Sequence, residues 1–360
     1  MQNNQAIPFN KENFKQILSK EFAWVIVISI PAALLADYFN IPLAWFLGPM
    51  IVTSIVTLGG IRTKMPRLVL STVLIFLGLY IGNYIDQELF AQMHQWVWTS
   101  LIMLAYIIIS VLIVSKYLQK FSGYGKKTSV FSAAPGALGP LLILAEDEKS
   151  DLSQVATSHL IRLIIIITIF PFIVNSFYDV ENIKNAEELI KDQNIFHLIL
   201  LVISSIILII IFDKFRIPAA LLSGTLFASG SLQIADIASY QLPPNIIDYC
   251  LLILGSSVGC RFADKTFSEI ARNALHSFVA TFLLVILGLL AALAASVVID
   301  KNFFTLLLSY CPGGIYEVAV IAIFFDLDPE FVSFHHIIRL LMILFIVPLM
   351  LKLIERKNLN

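Results

Sequence analysis

One segment occurs twice in the sequence, and this duplication decides the fold. Residues 132–171 read SAAPGALGPLLILAEDEKSDLSQVATSHLIRLIIIITIFP, and residues 309–348 read SYCPGGIYEVAVIAIFFDLDPEFVSFHHIIRLLMILFIVP. A shift of 177 residues aligns the two without a gap, and the matches include a Pro-Gly pair, an aspartate, a histidine, an arginine and a closing proline. Leucine and isoleucine match by chance in apolar sequence, whereas such a polar pattern does not. The chain is therefore two copies of one unit.

The duplication also extends upstream of this segment. Leu77-Gly78 aligns with Leu254-Gly255 at the same offset, and Ile41-Pro42 aligns with Ile217-Pro218 at an offset of 176. The two copies therefore cover nearly the whole chain. We divide it into a cytoplasmic N-terminal segment (1–20), a first membrane repeat (21–178), an acidic loop (179–194), a second membrane repeat (195–354) and a C-terminal tail (355–360).

The composition predicts an all-α polytopic membrane protein. Of the 360 residues, 58% are hydrophobic and only 14% are charged, whereas soluble domains have roughly half and a quarter respectively. Several apolar runs are long enough to cross a hydrocarbon layer of about 30 Å. The formal net charge of −1 gives no basic field for a phosphate backbone, so nucleic acid is not an expected partner.

Each copy contains five apolar runs and one apolar segment that a Pro-Gly pair interrupts. The predicted spans lie near 21–38, 43–60, 68–84, 96–118 and 152–175 in the first copy, and near 195–212, 218–236, 246–263, 274–299 and 330–352 in the second. The interrupted segments cover 129–145 and 303–325. A segment that crosses the membrane gives six spans per copy and parallel repeats. A segment that enters and returns gives five spans and inverted repeats.

Basic residues in the loops favour the returning arrangement, because Lys and Arg accumulate on the cytoplasmic side of membrane proteins. If both segments return and the N-terminus is inside, only Lys184, Lys191 and Lys301 of the loop cations lie outside. If both segments cross, six loop cations lie outside. We therefore predict two inverted repeats, each with five spans and a re-entrant or broken helix.

Two arginines lie deep inside predicted spans. Arg162 and Arg339 are about ten residues into the closing span of their copies, or about 15 Å at 1.5 Å per residue. A charged side chain at this depth costs about 2.5–3.5 kcal/mol on insertion scales. His159 and His336 precede the two arginines by one helical turn and share their helical face. These charges need a compensating partner.

The sequence leaves two explanations of the arginines open. In the first, each guanidinium pairs internally with Asp151, Asp328 or backbone carbonyls at the interrupted segment and stabilises its copy. In the second, both guanidinium groups face a shared hydrated cavity and attract an anion, since intramembrane ionisable residues commonly mark substrate or ion paths.

The Pro-Gly pairs favour the second explanation. Proline removes a backbone donor and glycine tolerates open geometry, so the helix is expected to unwind at each pair. The half-helix that follows directs its positive N-terminal end towards the middle of the membrane, and interrupted segments at matching positions indicate a transporter's binding site. The predicted substrate-binding residues are Arg162, Arg339, Pro135, Gly136, Pro312, Gly313 and Gly314.

Glu317 distinguishes the second copy from the first, where Pro140 takes the equivalent position. Its carboxylate is five residues beyond Pro312, in the first turn of the half-helix. It could bind a cation, carry a proton or pair with Arg339. We favour proton or cation coupling, with His336 and His159 as further candidates.

No motif indicates an enzyme. The histidines do not have the spacing of a metal site such as H-E-x-x-H, and no phosphate-binding G-x-x-x-x-G-K-[ST] motif is present. We therefore predict no catalytic residues, no metal and no cofactor, and membrane oxidase chemistry is a remote alternative.

The repeated PG-[AG]…D…V…H…R…P pattern, in a hydrophobic chain of this length, resembles the AbrB family of bacterial membrane proteins. That family is distinct from the small DNA-binding regulators of the same name, and its members have carried labels such as ammonia monooxygenase and regulator of gene expression. The layout is also similar to the superfamily of cation/proton antiporters and anion symporters, which have inverted five-span repeats and crossed broken helices. The first copy departs from the second with GALGP in place of GGIYE, which implies unequal roles for the two halves.

The combined prediction is a secondary transporter of a small organic anion, driven by a proton or sodium gradient, in the bacterial cytoplasmic (inner) membrane. Its expected partners are the anion, H⁺ or Na⁺ and the lipid bilayer, and the oligomeric state is left open, a homodimer included. The alternative is a non-transporting membrane regulator or scaffold that affects gene expression indirectly.

Overall fold

The fold is helical throughout the part of the chain that the structure describes. The structure is a computed structural model, and it describes residues 11–85, 87–136, 138–177, 195–238, 240, 243–263 and 265–356, with no strand among them. The acidic loop predicted at 179–194 lies outside these residues.

Within the described ranges, seventeen short and long helical elements fall into two series, one in each copy. The first copy contains α1 (Lys11–Ile17), α2 (Lys20–Tyr38), α3 (Ala44–Leu58), α4 (Arg67–Gly82), α5 (Gln87–Gln92), a 3₁₀ turn (Met93–Gln95), α6 (Trp96–Phe121), α7 (Lys126–Ala133), α8 (Leu138–Asp147) and α9 (Leu152–Asn175). The second copy contains α10 (Ile195–Lys214), α11 (Ala220–Ile234), α12 (Pro244–Cys260), α13 (Phe267–Ser296), α14 (Phe303–Tyr310), α15 (Ile315–Phe324) and α16 (Pro329–Arg356).

All ten predicted spans are helices, which confirms the helical prediction. Among the described residues, six helices are long and apolar enough to cross a membrane, namely α2, α6, α9, α10, α13 and α16. The chain is therefore a multi-pass membrane protein. The largest difference between a predicted span and the observed helix is at α13, which begins at Phe267 and not near residue 274. Thr266 Oγ1 accepts from the Glu269 N–H and Glu269 Oε2 accepts from the Thr266 N–H, so a capping box starts the helix two polar turns before its apolar stretch.

The two copies also share an uncommon backbone conformation. Asn40 and Leu43 have φ values of 51° and 54° in the turn before α3, and Arg216 and Ala219 have 55° and 54° in the turn before α11. Only a few per cent of non-glycine residues adopt this left-handed region. Its recurrence at equivalent positions confirms the duplication at the level of the backbone.

The helices form two compact units, and each unit takes helices from both copies. The first unit comprises Met1–Gln92, Pro171–Lys265 and Ile323–Glu330, and the second comprises Met93–Phe170, Thr266–Ala322 and Phe331–Asn360. The first three long helices of each copy therefore lie in the first unit. The fourth helix, the interrupted segment and most of the closing helix lie in the second.

Glycines bring helices of different copies together in the first unit. A Cβ atom on Gly78 of α4 would overlap Thr225 of α11, and a Cβ atom on Gly255 of α12 would overlap the Phe46 carbonyl of α3. Gly82 and Gly259 make the equivalent approaches one turn further on. Small residues allow such backbone contact between membrane helices. The third long helix of each copy therefore packs on the second long helix of the other copy: α4 packs on α11, and α12 packs on α3.

In the second unit, the fourth helices of the two copies run in opposite directions. The Tyr117 hydroxyl, near the end of α6, lies 3.2 Å from His276 Nδ1, near the start of α13. Tyr106, in the middle of α6, donates to the Leu284 carbonyl in the middle of α13 at 3.4 Å. Residue numbers rise along α6 as they fall along α13, so the two helices are antiparallel. Equivalent helices of parallel repeats would be parallel, and the repeats are therefore inverted.

The first interrupted segment enters and returns on one side. Lys127 Nζ, at the start of α7, lies 2.5 Å from Glu148 Oε2, just beyond the end of α8. The Asp151 N–H, just before α9, donates to Thr128 Oγ1 at 3.1 Å. The two ends of the segment therefore meet, as a re-entrant loop requires and a spanning helix does not allow.

The second segment has the same relation to its closing helix. Lys301, before α14, lies over the ring of Phe331 near the start of α16, with Nζ 5.8 Å from the ring centroid. Since α7 follows the end of α6 and α14 follows the end of the antiparallel α13, the two re-entrant segments begin on opposite sides. The predicted returning arrangement agrees with these contacts.

This arrangement predicts opposite accessibility for two exposed positions. We expect a cysteine at Lys126, before the first re-entrant segment, to react with a membrane-impermeant maleimide only from the cytoplasmic side. A cysteine at Asn302, before the second segment, should react only from the other side. Labelling of right-side-out and inside-out vesicles measures this, with the native protein and its cysteines as background. Reaction of both positions from one side would contradict the inverted repeats.

Candidate functional site

The two arginines lie at the ends of the re-entrant half-helices. Arg162 of α9 is buried and donates from Nη1 to the Ala134 carbonyl at 2.6 Å and from Nη2 to the Ser132 carbonyl at 2.5 Å. These carbonyls belong to the end of α7, where a helix leaves its last acceptors unsatisfied and has its negative pole. The guanidinium therefore compensates the C-terminal end of α7.

Arg339 of α16 makes a related but wider contact. It is fully buried and donates from Nη1 to the Cys311 carbonyl and from Nη2 to the Gly313 carbonyl, the latter at 2.7 Å. Cys311 and Gly313 flank Pro312, so this guanidinium holds both sides of the second break. Arg162 holds only the side of the first break that precedes Pro135.

One turn before each arginine, a histidine of the same closing helix contacts the entering half-helix of its copy. His159 Nε2 lies 3.0 Å from the Phe131 carbonyl, and His336 Nε2 lies 3.1 Å from the Leu308 carbonyl. His336 Nδ1 also lies 2.9 Å from Arg339 Nη2. Because the carbonyl requires a proton on Nε2, Nδ1 is the acceptor for Arg339. This histidine is therefore neutral, and a second proton would face the guanidinium.

The breaks themselves are unwound and lie against each other. The N–H of Gly136 donates to the Ala134 carbonyl at 2.9 Å, and the N–H of Gly313 donates to the Cys311 carbonyl at 2.8 Å. Gly136 has a φ of 116°, a conformation that glycine adopts without steric cost. A Cβ atom built on Gly136 would lie 3.4 Å from the Gly313 carbonyl oxygen and 3.1 Å from Arg339 Nη2. Arg339 therefore touches both breaks.

Glu317 covers the start of the second returning half-helix. It is 1% exposed, and its carboxylate lies where a Cβ atom on Gly314 would be, immediately before α15. A carboxylate at this position interacts favourably with the positive end of the helix. In the first copy the equivalent half-helix, α8, carries Pro140 instead, and a Cβ atom on Gly139 beside it would have no heavy atom within 4 Å. The two half-helices thus begin differently.

The structure brings the predicted site residues together in the second unit, and it adds two that sequence reasoning missed. Tyr106 is buried and close enough to interact electrostatically with both arginines. Nothing in the apolar pattern of α6 distinguishes it. Ser132 is fully buried, and its hydroxyl has no hydrogen-bond partner within the described part of the chain. Its recurrence as Ser309 in the second copy was the available signal.

The internal partners of the arginines are backbone carbonyls and, for Arg339, also His336 Nδ1. Asp151 instead accepts the N–H of Gln154 at 3.0 Å and caps α9. Each guanidinium still retains a donor, because Nε of both Arg162 and Arg339 is buried without a hydrogen-bond partner among the described residues. The charges are therefore compensated by half-helix ends, and one buried N–H of each guanidinium has no hydrogen-bond partner among the described residues. No group of three His, Cys, Asp or Glu side chains that could hold a metal ion occurs in these residues.

Comparison with known proteins gives the family of the chain. A family model described as "Transition state regulatory protein AbrB" matches residues 2–82 and 45–355. A Bacillus subtilis (strain 168) protein, "Uncharacterized protein YhjN", is 21% identical over 352 residues, covering 90% of this chain and 91% of the relative. An Escherichia coli (strain K12) protein described as a regulator AbrB is 22% identical over 327 residues, covering 88% and 91%. No solved structure matches. With its duplicated re-entrant segments and a model match over most of its length, the chain belongs to the AbrB family.

Proposed function

We propose that the protein is a secondary transporter of a small organic anion, coupled to a proton or sodium gradient across the bacterial cytoplasmic membrane. The observation that carries this proposal is the meeting of two re-entrant Pro-Gly breaks, which enter from opposite sides and contact each other at Gly136 and Gly313. Unwound backbone at membrane depth is tolerated only inside protein or beside a water-filled cavity. A pair of such breaks in two repeats is the arrangement of transporter binding sites.

The charges at the breaks support an anion as the substrate. Arg162 and Arg339 each keep a buried Nε–H without a partner among the described residues, and the starts of α8 and α15 add the N–H groups that helices leave unpaired. These donors suit a carboxylate or a similar anion. The cost of burying two cations is offset in part by the half-helix carbonyls and in full only when an anion is bound.

Glu317 is the residue that we assign to coupling. It is a buried carboxylate within one turn of the breaks, where binding of H⁺ or Na⁺ would change the local charge. His336 is the weaker candidate, since its Nδ1 accepts from Arg339 and a proton there would break this contact. His159 is held by the Phe131 carbonyl.

A regulator that does not transport is the second candidate. The family model and the Escherichia coli relative are both described as regulators. Such a protein would act through a partner and would show no substrate flux. Transport by the chain would make any effect on gene expression a consequence of the substrate's concentration.

The test is uptake by purified protein in liposomes. A thermal-shift screen of carboxylates, amino acids and phosphonates, with and without sodium, selects anions that raise the melting temperature. We expect at least one of these anions, as a radiolabelled solute, to accumulate when a pH or sodium gradient is imposed, and accumulation to cease when an ionophore collapses that gradient. Liposomes without protein are the control. An anion that binds but never accumulates under either gradient would favour the regulator.

A further inference from the structure

The two approaches to the arginines are closed by equivalent contacts. Ser158 of α9 lies beside Ser277 in the first half of α13, with 3.5 Å between their hydroxyl oxygens. His335 of α16 lies beside Thr99 in the first half of α6, with 2.7 Å between Nε2 and Oγ1. Ser158 and His335 each precede the arginine of their own helix by one turn. The first contact is on the side that the basic loops assign to the cytoplasm, and the second is on the opposite side.

On the side away from the cytoplasm, the closure is aromatic. The indole ring of Trp96 packs against the rings of Phe331 and Phe334, with centroid distances of 5.2 and 5.0 Å. Its N–H has no hydrogen-bond partner within the described ranges, so rings and not polar groups hold it in place. Tyr310 Oη donates to the Thr99 carbonyl at 2.7 Å. The outer aromatic cluster comprises Trp96, Thr99, Tyr310, Phe331, Phe334 and His335.

Each ring of the outer aromatic cluster has a residue without a ring at the equivalent position of the other copy. The aligned pairs, at the offset of 177, are Trp96 with Asn273, Tyr310 with Ala133, Phe331 with Gln154, Phe334 with Thr157 and His335 with Ser158. Ala133, Thr157 and Ser158 are buried, and Gln154 and Asn273 are partly exposed. The cytoplasmic side therefore has small and polar side chains where the opposite side has stacked rings.

The polar side chains on the cytoplasmic side form only long hydrogen bonds. We call five of these residues the polar seam: Tyr124, Thr157, Ser158, Asn273 and Ser277. Tyr124 Oη lies 3.4 Å from both Ser158 Oγ and Asn273 Oδ1, whereas O–H···O bonds are usually about 2.7–2.8 Å long. Thr157 Oγ1 is buried and has no hydrogen-bond partner in the described part of the chain. Water or a polar solute can therefore offer these groups better hydrogen bonds than they have.

We infer that the polar seam is the path of the substrate anion between the cytoplasm and the arginines, and that the outer aromatic cluster is the gate that closes the opposite side. This route rests on the proposed function and specifies how the substrate reaches the site. Opening the seam breaks only long hydrogen bonds, and the separated groups can bind water. Opening the cluster breaks two contacts of 2.7 Å and exposes aromatic surface to water, which the hydrophobic effect opposes. The cytoplasmic side therefore opens more readily.

Two cysteine variants test this difference. Ser277→Cys lies in the polar seam and Thr99→Cys in the outer aromatic cluster, and the native residues are 1% and 0% exposed. The reagent is a membrane-impermeant, negatively charged methanethiosulfonate, applied to right-side-out and inside-out vesicles, with the native protein and its three cysteines as background. Because buried thiols react through local opening, we expect Ser277→Cys to react from the cytoplasmic side about tenfold faster than Thr99→Cys reacts from the other side. Ser158→Cys is a second reporter for the seam.

The gate is tested by opening it. Trp96→Ala removes the central ring of the outer aromatic cluster, and we expect it to raise the rate at which Thr99→Cys reacts from the outside by about tenfold. The rate of Ser277→Cys should not change. Tyr310→Phe removes only the hydroxyl that is bonded to the Thr99 carbonyl. It is the milder variant if Trp96→Ala does not fold, and it should act in the same direction.

The seam has a matched pair of tyrosine variants. Tyr124→Phe removes the hydroxyl that bridges the seam, and we expect Ser277→Cys to react from the cytoplasmic side several times faster in this background. Tyr117→Phe makes the same chemical change at a nearby tyrosine outside the seam, whose hydroxyl contacts His276 Nδ1 at 3.2 Å. This control should leave the rate unchanged.

Three results would overturn the inference. Thr99→Cys could react from the outside as fast as Ser277→Cys reacts from the cytoplasm, or the seam cysteines could react from neither side. Tyr124→Phe and Tyr117→Phe could also change the rate equally. Labelling measures access and not flux, so it is independent of the uptake test. The expected labelling without uptake of any anion would contradict transport only, and uptake with equal labelling from both sides would contradict the proposed path only.

Discussion

Replacing Arg339 with leucine is expected to destabilise the protein by about 2–5 kcal/mol, because each buried acceptor that loses its donor costs about 1–3 kcal/mol. The leucine would leave the Gly313 carbonyl without its Arg339 donor and the Cys311 carbonyl with the Gly313 N–H alone. The end of α14 would lose its compensating charge at the same time. Thermal and denaturant unfolding in detergent micelles measures the change.

Two further variants make this expectation specific. Arg339→Lys keeps the charge but replaces the planar fork with a single ammonium group, so we expect a smaller loss of stability than for leucine. Arg272→Leu removes an exposed arginine from the start of α13 and should leave the melting temperature unchanged. If Arg339→Leu melts at the wild-type temperature, the contacts with the carbonyls do not stabilise the break, and the guanidinium is retained for a ligand alone.

Replacing Gly136 with alanine is expected to have the second-largest effect, about 2–3 kcal/mol from a strained backbone and a crowded side chain. Its φ of 116° is unfavourable for any residue with a Cβ atom. The new methyl group would lie 3.1 Å from Arg339 Nη2 and 3.4 Å from the Gly313 carbonyl oxygen. Alanine should therefore separate the two breaks as well as strain the first.

Gly139→Ala is the matched control for this variant. It makes the same chemical change three residues further on, where the Cβ atom meets no heavy atom within 4 Å. Alanine is favoured over glycine within a helix by up to about 1 kcal/mol, so this control should be neutral or slightly stabilising. Equal melting temperatures for Gly136→Ala and Gly139→Ala would show that the close approach of Gly136 to Gly313 and Arg339 does not stabilise the protein.

Much of the fold could be predicted from the sequence because hydropathy and duplication act over long stretches. The spans near 152–175 and 195–212 agree with α9 and α10 to within two residues at each end. The start of α13 was missed because its first two turns are polar and the capping box, not hydropathy, begins the helix. The distribution of lysine and arginine predicted the returning segments, and the contact between Lys127 and Glu148 agrees with it.

The exchange of helices between copies could not be predicted. Gly78 and Gly255 occupy equivalent positions and present the same small surface, so each could contact the second helix of its own copy or of the other. Only the packing of the folded chain selects the other copy. A duplicated sequence specifies the surfaces that pair, but it contains no information that distinguishes two nearly identical partners.

The contacts of the two arginines show an asymmetry that the sequence does not predict. Arg162 and Arg339 have the same sequence context, and the sequence treats them as a symmetric pair. In the structure, Arg162 contacts Ser132 and Ala134 on one side of its break, whereas Arg339 contacts residues on both sides of its own. The difference arises from tertiary packing around the breaks, which no local pattern records.

The pairing of α4 with α11 and of α12 with α3 determines the order in which the protein is assembled during synthesis. When the ribosome has delivered only the first copy, Gly78 and Gly82 have no helix opposite them. Membrane helices are inserted in order, and about 5–20 residues are added per second. The glycine surface of α4 is therefore exposed to lipid for many seconds before α11 is inserted. The facing surface of α3 remains without α12 for longer. A chain that stops after the first copy has neither α11 nor α12 to cover these surfaces.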